Sequence, residues 1–261
     1  MIKDVFAAEW LKLRSVRSTY LTLAVPLAFL AMAVMLALYA ANTWDGLTPE
    51  ERARFALSSL STLNADVTGL CLAILGVLGI TGEYRTGMIR TTLTVVPRRR
   101  TLLLAKAAVV GTVALLVGTA ITLGTFFMVR LIIGDRPIRG QPLGVVAELP
   151  ELLARGSAVT VYALLGLGLA VILRSTAGAI VSIVMLWYVV PIVTVHVPAP
   201  WNERLGSFML GGLPEQVIGG DNENSVFGSV LPPPVALAVL IAYAALPLTT
   251  AAILLNRRDV H

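Results

Sequence analysis

The stretch that decides the fold is residues 20–41, YLTLAVPLAFLAMAVMLALYAA, which runs for 22 residues without a charged side chain. A helix that crosses the hydrocarbon core of a bilayer needs about 20 predominantly apolar residues. The whole chain has the same character, since 57% of its 261 residues are hydrophobic and only 13% are charged. Soluble domains carry about 25% charged residues. The sequence therefore predicts a membrane protein and not a soluble protein with an unusually apolar core.

Six apolar stretches predict membrane spans, at residues 20–41, 63–82, 104–133, 157–173, 176–197 and 234–255. The first is longer than the roughly 7–15 apolar residues of a signal peptide, so it is predicted to be a retained span. The predicted fold class is an all-α membrane protein with six transmembrane helices in a single domain, residues 1–261. The Pro- and Gly-rich loop at 198–233 has room for short re-entrant or interfacial helices around Trp201–Leu210.

The distribution of charge predicts the orientation of the chain. Six spans place both termini on one side, and that side would carry most of the 20 basic residues and few of the 15 acidic ones. Loops rich in Lys and Arg stay in the cytoplasm. Both termini are therefore expected to be cytoplasmic, in a multi-pass protein of the cell membrane.

The first 19 residues predict an amphipathic helix that lies along the inner leaflet before the first span. Its apolar face includes Trp10, which suits the headgroup level, and its candidate interfacial residues are Glu9, Trp10, Lys12, Arg14 and Arg17. Glu9 falls inside the apolar face, where an unpaired charge is costly. Two partners remain open for it, a local ion pair with Lys12 or an arginine of the next inner loop.

The inner loop at residues 83–100 combines arginines with apolar side chains. Gly87 breaks the chain soon after the second span, Met88–Val96 predicts a short helix that Pro97 ends, and Arg98–Arg100 follows at the membrane surface. Polybasic segments of this kind contact anionic lipid. The loop therefore serves either as a positively charged anchor alone or as a docking element for a partner.

No catalytic motif appears in the sequence. There is no P-loop, HExxH or GxSxG pattern, and the single cysteine is Cys71. Polar residues inside the spans are mostly hydroxyls, whereas transporters coupled to ions use buried carboxylates or histidines. Asp66 and Arg130, near the outer ends of their spans, are expected to pair. The chain is predicted not to be an enzyme and to hold no metal or cofactor, so a partner must supply any energy.

Two motifs carry a resemblance to a known family. They are AEWLKLRSVRSTY at residues 8–20 and TGEYRTGMIRTTLTVVPRRRTLLLAKA at residues 81–107, where the third span opens. Together with the six spans they resemble ABC-2 type transporter permease subunits over the whole chain. The resemblance implies a permease of an ATP-binding cassette exporter, with ATP and Mg on a separate ATPase subunit. It also implies a second permease, as a homodimer or heterodimer, around a pathway for an amphipathic or lipophilic drug, peptide or lipid.

The same resemblance implies that residues 83–100 hold the coupling helix that docks on the ATPase. The candidate coupling residues are Glu83, Tyr84, Arg85, Thr86, Gly87, Met88, Ile89, Arg90, Leu93, Pro97, Arg98 and Arg99. Glu83 is expected to tie the base of the loop to the arginines or to the N-terminal helix. Membrane lipids are expected contacts and nucleic acid is not. The alternatives are a non-transporting anchor or sensor subunit and an intramembrane enzyme near His196.

Overall fold

The computed structural model describes residues 2–88, 99–141, 144–219 and 231–257. Within these ranges the chain forms ten helices, which are α1 Ile2–Ser15, α2 Arg17–Gly46, α3 Pro49–Arg54, α4 Leu60–Thr86, α5 Arg99–Ile133, α6 Val145–Leu173, α7 Thr176–Val195, α8 Trp201–Gly206, α9 Leu213–Val217 and α10 Pro233–Arg257. Helix α7 widens into a π-helical turn at Met185–Val189, just before Pro191. Proline lacks an N–H and collides with the carbonyl of the preceding turn, which a wider turn relieves.

The six predicted spans are confirmed as six helices long and apolar enough to cross a bilayer, namely α2, α4, α5, α6, α7 and α10. The all-α fold class is confirmed within the described ranges, where the one strand-like contact is an isolated bridge between Ala56 and Arg139. Helices α6 and α7 meet at a tight hairpin, because α6 ends at Leu173, Arg174 adopts a left-handed backbone with φ of 50°, and α7 begins at Thr176.

Several helices extend beyond their apolar segments. Helix α6 begins at Val145 although its predicted span starts at residue 157, because Glu148, Glu151 and Arg155 lower the hydropathy without opposing a helix. Helix α2 continues past residue 41 to Gly46. The short helices expected around Trp201–Leu210 are present as α8, with α9 after it. The short helix predicted at Met88–Val96 lies almost wholly outside the described residues.

Helices α4, α5 and α6 form the centre of the bundle, where small residues allow close approach. A Cβ atom added to Gly76 of α4 would lie 2.0 Å from the carbonyl oxygen of Ala163 in α6. The reverse contact is as tight, since a Cβ on Gly166 of α6 would lie 2.1 Å from the carbonyl oxygen of Ala73. Backbones that touch in this way are typical of packed membrane helices. These glycines fix the α4–α6 contact on which the rest of the bundle is built.

The other three long helices lie at the periphery. In α4, α5 and α6 more than half of the residues in the apolar segment are buried, whereas in α2, α7 and α10 only about a fifth are. Large apolar side chains such as Leu21, Met35 and Ile192 are exposed on this outer surface. A contiguous apolar surface of this extent suits lipid or another membrane protein.

Two glycines of α4 offer a direct test of this packing. We expect Gly76→Ala to lower the melting temperature of the purified protein in detergent, because the new methyl group has no space and overpacking costs about 1–3 kcal/mol. Gly82→Ala is the matched control, since a Cβ there meets nothing within 4 Å. Equal melting temperatures for the two variants would contradict the close α4–α6 contact.

Candidate functional site

Helix α1 packs across one end of the bundle, called here the α1 end. Val16 separates it from α2 by adopting an extended backbone, and the Thr19 N–H donates to the Val16 carbonyl at 3.1 Å. The inward face of α1 buries Val5 and Glu9, whereas Leu11 points away from the bundle. Trp10 and Leu13 pack against the main hydrophobic core. The helix predicted for residues 1–19 is therefore present as Ile2–Ser15, and its position at the inner leaflet remains a prediction.

Four charged side chains meet beneath α1 and are called here the charge cluster: Glu9, Lys12, Glu83 and Lys106. Lys106 Nζ of α5 donates to Glu9 Oε2 at 2.5 Å and to Glu83 Oε1 at 2.9 Å. Lys12 Nζ donates to Glu9 Oε1 at 2.8 Å and to Glu83 Oε1 at 3.0 Å. The cluster thus joins α1, α4 and α5 through alternating charges.

The charge cluster is buried and balanced in formal charge. Glu9 and Glu83 are each 4% exposed and Lys106 is 3% exposed. The third proton of Lys106 goes to the carbonyl oxygen of Gly79 at 3.0 Å, so all three of its donors are used. Removing one partner from a buried pair of this kind typically costs about 3–5 kcal/mol. The cluster therefore holds α1, α4 and α5 together rigidly when all four side chains are present.

Lys12 is the partly exposed member of the cluster. Burial alone lowers the pKa of its ammonium, but the hydrogen bonds to Glu9 and Glu83 outweigh burial and hold the pKa above its usual value. Lys12 therefore stays charged over the physiological range.

The structure confirms one of the two partners considered for Glu9 and adds a partner that sequence reasoning missed. The local pair with Lys12 is present, and Lys106 of α5 is a second partner. Most arginine side chains of the inner loop lie outside the described part of the structure, so a pair between Glu9 and one of them stays a prediction. The expected tie from Glu83 to the N-terminal helix is confirmed through Lys12. Lys106 stands alone in the apolar run LLLAKAAVV, and an isolated charge in such a run is the signal that indicates a buried partner.

The remaining candidate coupling residues surround the end of α4. Gly87 ends the helix in a left-handed conformation with φ of 69°, which favours glycine. Tyr84 lies 5.9 Å beneath the Arg174 guanidinium, and the Thr86 hydroxyl donates to the Gly82 carbonyl at 2.9 Å. Met88 is exposed.

Beyond α4 the structure describes only part of the coupling segment. Arg85 lies in the last turn of α4, but its side chain is not described, and Ile89, Arg90, Leu93, Pro97 and Arg98 lie outside the described residues. Arg99 begins α5 and donates from Nη1 to the Leu255 carbonyl of α10 at 2.5 Å. Arg14 and Arg17 of the predicted interfacial helix are exposed.

A cavity of about 460 Å³ opens beside the charge cluster. All four charged residues line it, together with hydroxyls of Ser18, Thr19, Thr81, Thr86 and Thr176 and apolar walls from α4 and α5. The cavity is therefore amphipathic, with polar groups gathered at the α1 end and aliphatic side chains deeper in the bundle.

A second buried ion-pair cluster lies at the opposite end of the bundle. Arg155 of α6 donates from Nε to Glu151 at 2.7 Å and from Nη2 to Glu215 of α9. The Tyr162 hydroxyl donates to the Leu210 carbonyl at 3.2 Å, and Gln216 donates to the Ser207 carbonyl at 3.0 Å. These contacts hold the segment of α8 and α9 against the bundle.

The expected pair between Asp66 and Arg130 is wrong. Arg130 instead lies 3.8 Å from Asp135, beyond the end of its own helix, and donates to the Gly134 carbonyl at 3.2 Å. A charged side chain near a helix end contacts groups in the turn that follows the helix more easily than it contacts a carboxylate on another helix. Arg155, which lies just before the fourth predicted span, is a buried basic residue at this end.

We expect Glu215→Gln to loosen the segment of α8 and α9, because it removes the charge that α9 offers to Arg155. Hydrogen exchange of residues 201–219 should rise measurably. Glu151→Gln is the control, since it removes a pair within α6 and leaves the link to α9 intact. Equal exchange in the two variants would exclude Arg155–Glu215 as the link.

For the charge cluster, Lys106→Met should destabilise the protein by about 3–5 kcal/mol, because two buried carboxylates lose their shared partner. Lys12→Met should cost clearly less, since Lys12 is partly exposed to solvent. Thermal unfolding in detergent measures both. A Lys106→Met protein as stable as Lys12→Met would show that the cluster does not hold α1.

A family model described as ABC-2 family transporter protein matches residues 5–194, which include α1, the charge cluster and five of the six long helices. No curated protein matches the chain. The match covers well over half of the 261 residues. It agrees with the six apolar helices, which indicate a multi-pass membrane protein. The chain therefore belongs to the ABC-2 family of transporter membrane proteins, as a permease.

Proposed function

We propose that this permease forms the transmembrane pathway of an ATP-driven exporter for amphipathic or lipophilic molecules. A separate ATP-binding cassette subunit binds ATP and Mg and hydrolyses the nucleotide. A second permease, identical or different, completes the pathway. Both termini and the segment at residues 83–100 face the cytoplasm, in the cell membrane. Family membership and the distribution of basic residues support this proposal.

The observation that carries the proposal is the position of the charge cluster. Glu83 lies one turn before Gly87, where α4 ends and the segment at residues 89–98 begins. Its carboxylate is bound to Lys12 of α1 and Lys106 of α5. A force on the segment that follows α4 would therefore reach three helices at once. This is the arrangement that a permease needs if a soluble motor moves its helices from outside the membrane.

The surface of the chain supports an assembly with other membrane components. Helices α2, α7 and α10 expose most of their apolar residues, far more than the central helices do. Lipid covers part of such a surface, and a second permease would cover another part. The cargo pathway would run next to this second subunit.

Affinity purification of the tagged chain in mild detergent, followed by mass spectrometry, tests the partnership. We expect a stoichiometric soluble protein with a P-loop. Arg85→Ala combined with Arg90→Ala should reduce its recovery at least about tenfold, equivalent to about 1.4 kcal/mol, because charge-assisted contacts at the docking surface are lost.

The matched control removes two arginines elsewhere. Arg54 and Arg204 are exposed and lie in loops that are predicted to be on the outer side of the membrane. Both can be changed to alanine in one variant. This variant should recover the ATPase as the unmodified chain does. Purification of the chain with lipid alone would count against docking of an ATPase on residues 83–100. An equal loss of ATPase recovery in both double variants would count against it as well. Absence of transport-linked ATP hydrolysis in the reconstituted pair would count against export.

A further inference from the structure

Glu83, which lines the cavity beside the charge cluster, carries an unsatisfied acceptor. Glu83 uses Oε1 for both lysines, whereas its Oε2 is buried and accepts no hydrogen bond from the residues that the structure describes. A buried carboxylate oxygen without a donor is costly, so a ligand that brings a donor is stabilised there. Glu83 is among the residues that line the cavity.

The lysines of the cluster do not offer an equivalent site for an anion. All three donors of Lys106 are taken by Glu9, Glu83 and Gly79, and Lys12 binds both carboxylates. The buried side-chain atom of the cluster that has no hydrogen-bond partner among the described residues is therefore an acceptor, Glu83 Oε2. The matching head group is a primary ammonium, which donates three hydrogen bonds.

The rest of the cavity defines the remainder of the ligand. Its deeper wall is aliphatic, from Leu75, Leu78, Val109 and Val110, and its other side is formed by the junction of α1 and α2. A volume of about 460 Å³ accommodates a head group and the first part of a chain. Val16 at this junction lines the cavity and is exposed, so an amphiphile on the surface of the protein has access to the cavity.

We propose that this cavity binds an amphiphile with a primary ammonium head group, taken from the leaflet at the α1 end, with Glu83 Oε2 as the acceptor. A zwitterionic lipid of this kind adds no net charge. As a loading site for cargo the cavity rests on the proposed transport function, but binding itself requires no ATPase.

Native mass spectrometry of the purified permease measures this binding directly. The protein is incubated with phosphatidylethanolamine or with phosphatidylcholine of the same acyl chains, which differ because the quaternary ammonium of phosphatidylcholine cannot donate a hydrogen bond. We expect the permease to retain phosphatidylethanolamine at least fivefold better. Equal retention of the two lipids, or retention of neither, would overturn the proposal.

A pair of glycine variants locates the bound lipid. Gly82 lines the cavity and Gly46 lies outside it, and a Cβ on either meets nothing within 4 Å. Gly82→Leu should fill the cavity and abolish the preference for phosphatidylethanolamine, whereas Gly46→Leu should keep it. Persistence of the preference in Gly82→Leu would place the lipid elsewhere and overturn the proposal. The lipid-binding experiment contains no ATPase. A negative result would therefore not contradict the proposed partnership with an ATPase, which the affinity purification tests separately.

Discussion

The ion pairs between Lys106 and the two carboxylates Glu9 and Glu83 are the contact on which the α1 end of the molecule depends. Each of the three side chains is almost fully buried, and none could remain charged at low cost without the other two. Helix α1 is short and is linked to α2 by a single extended residue. Trp10 and Leu13 pack on the main core, and the inward-pointing Glu9 adds ion pairs that connect α1 to α5 directly and to α4 through the shared lysines.

The two ends of the bundle are constructed differently. At the α1 end, charged groups, hydroxyls and a cavity lie beside the end of α4. At the opposite end, Arg155, Tyr162 and Gln216 hold short helices against the bundle. Between them the close contact of α4 and α6 through Gly76 and Gly166 gives a rigid centre. The α1 end thus has a cavity next to its charged groups, whereas short helices pack on the bundle at the opposite end.

Hydropathy was sufficient to predict the six long helices, because a helix in lipid must present about 20 apolar residues whatever its neighbours are. The buried position of Glu9 was also predictable, since a carboxylate on an apolar face requires a partner. The identity of that partner was not, because Lys106 reaches Glu9 only through the packing of α1 on α5. For the same reason the sequence did not indicate that Arg155, just before the span predicted at residues 157–173, is buried and paired with Glu215 of α9.

A double-mutant cycle between Glu9 and Lys106 tests most directly whether the charge cluster holds α1 on the bundle. Unfolding free energies would be measured for Glu9→Gln, Lys106→Met and the double variant. The structure predicts an interaction energy of at least about 1 kcal/mol, within the range for residues in direct contact. Single effects that add to within about 0.5 kcal/mol, as they do for independent sites, would contradict a direct ion pair and the joint that it forms.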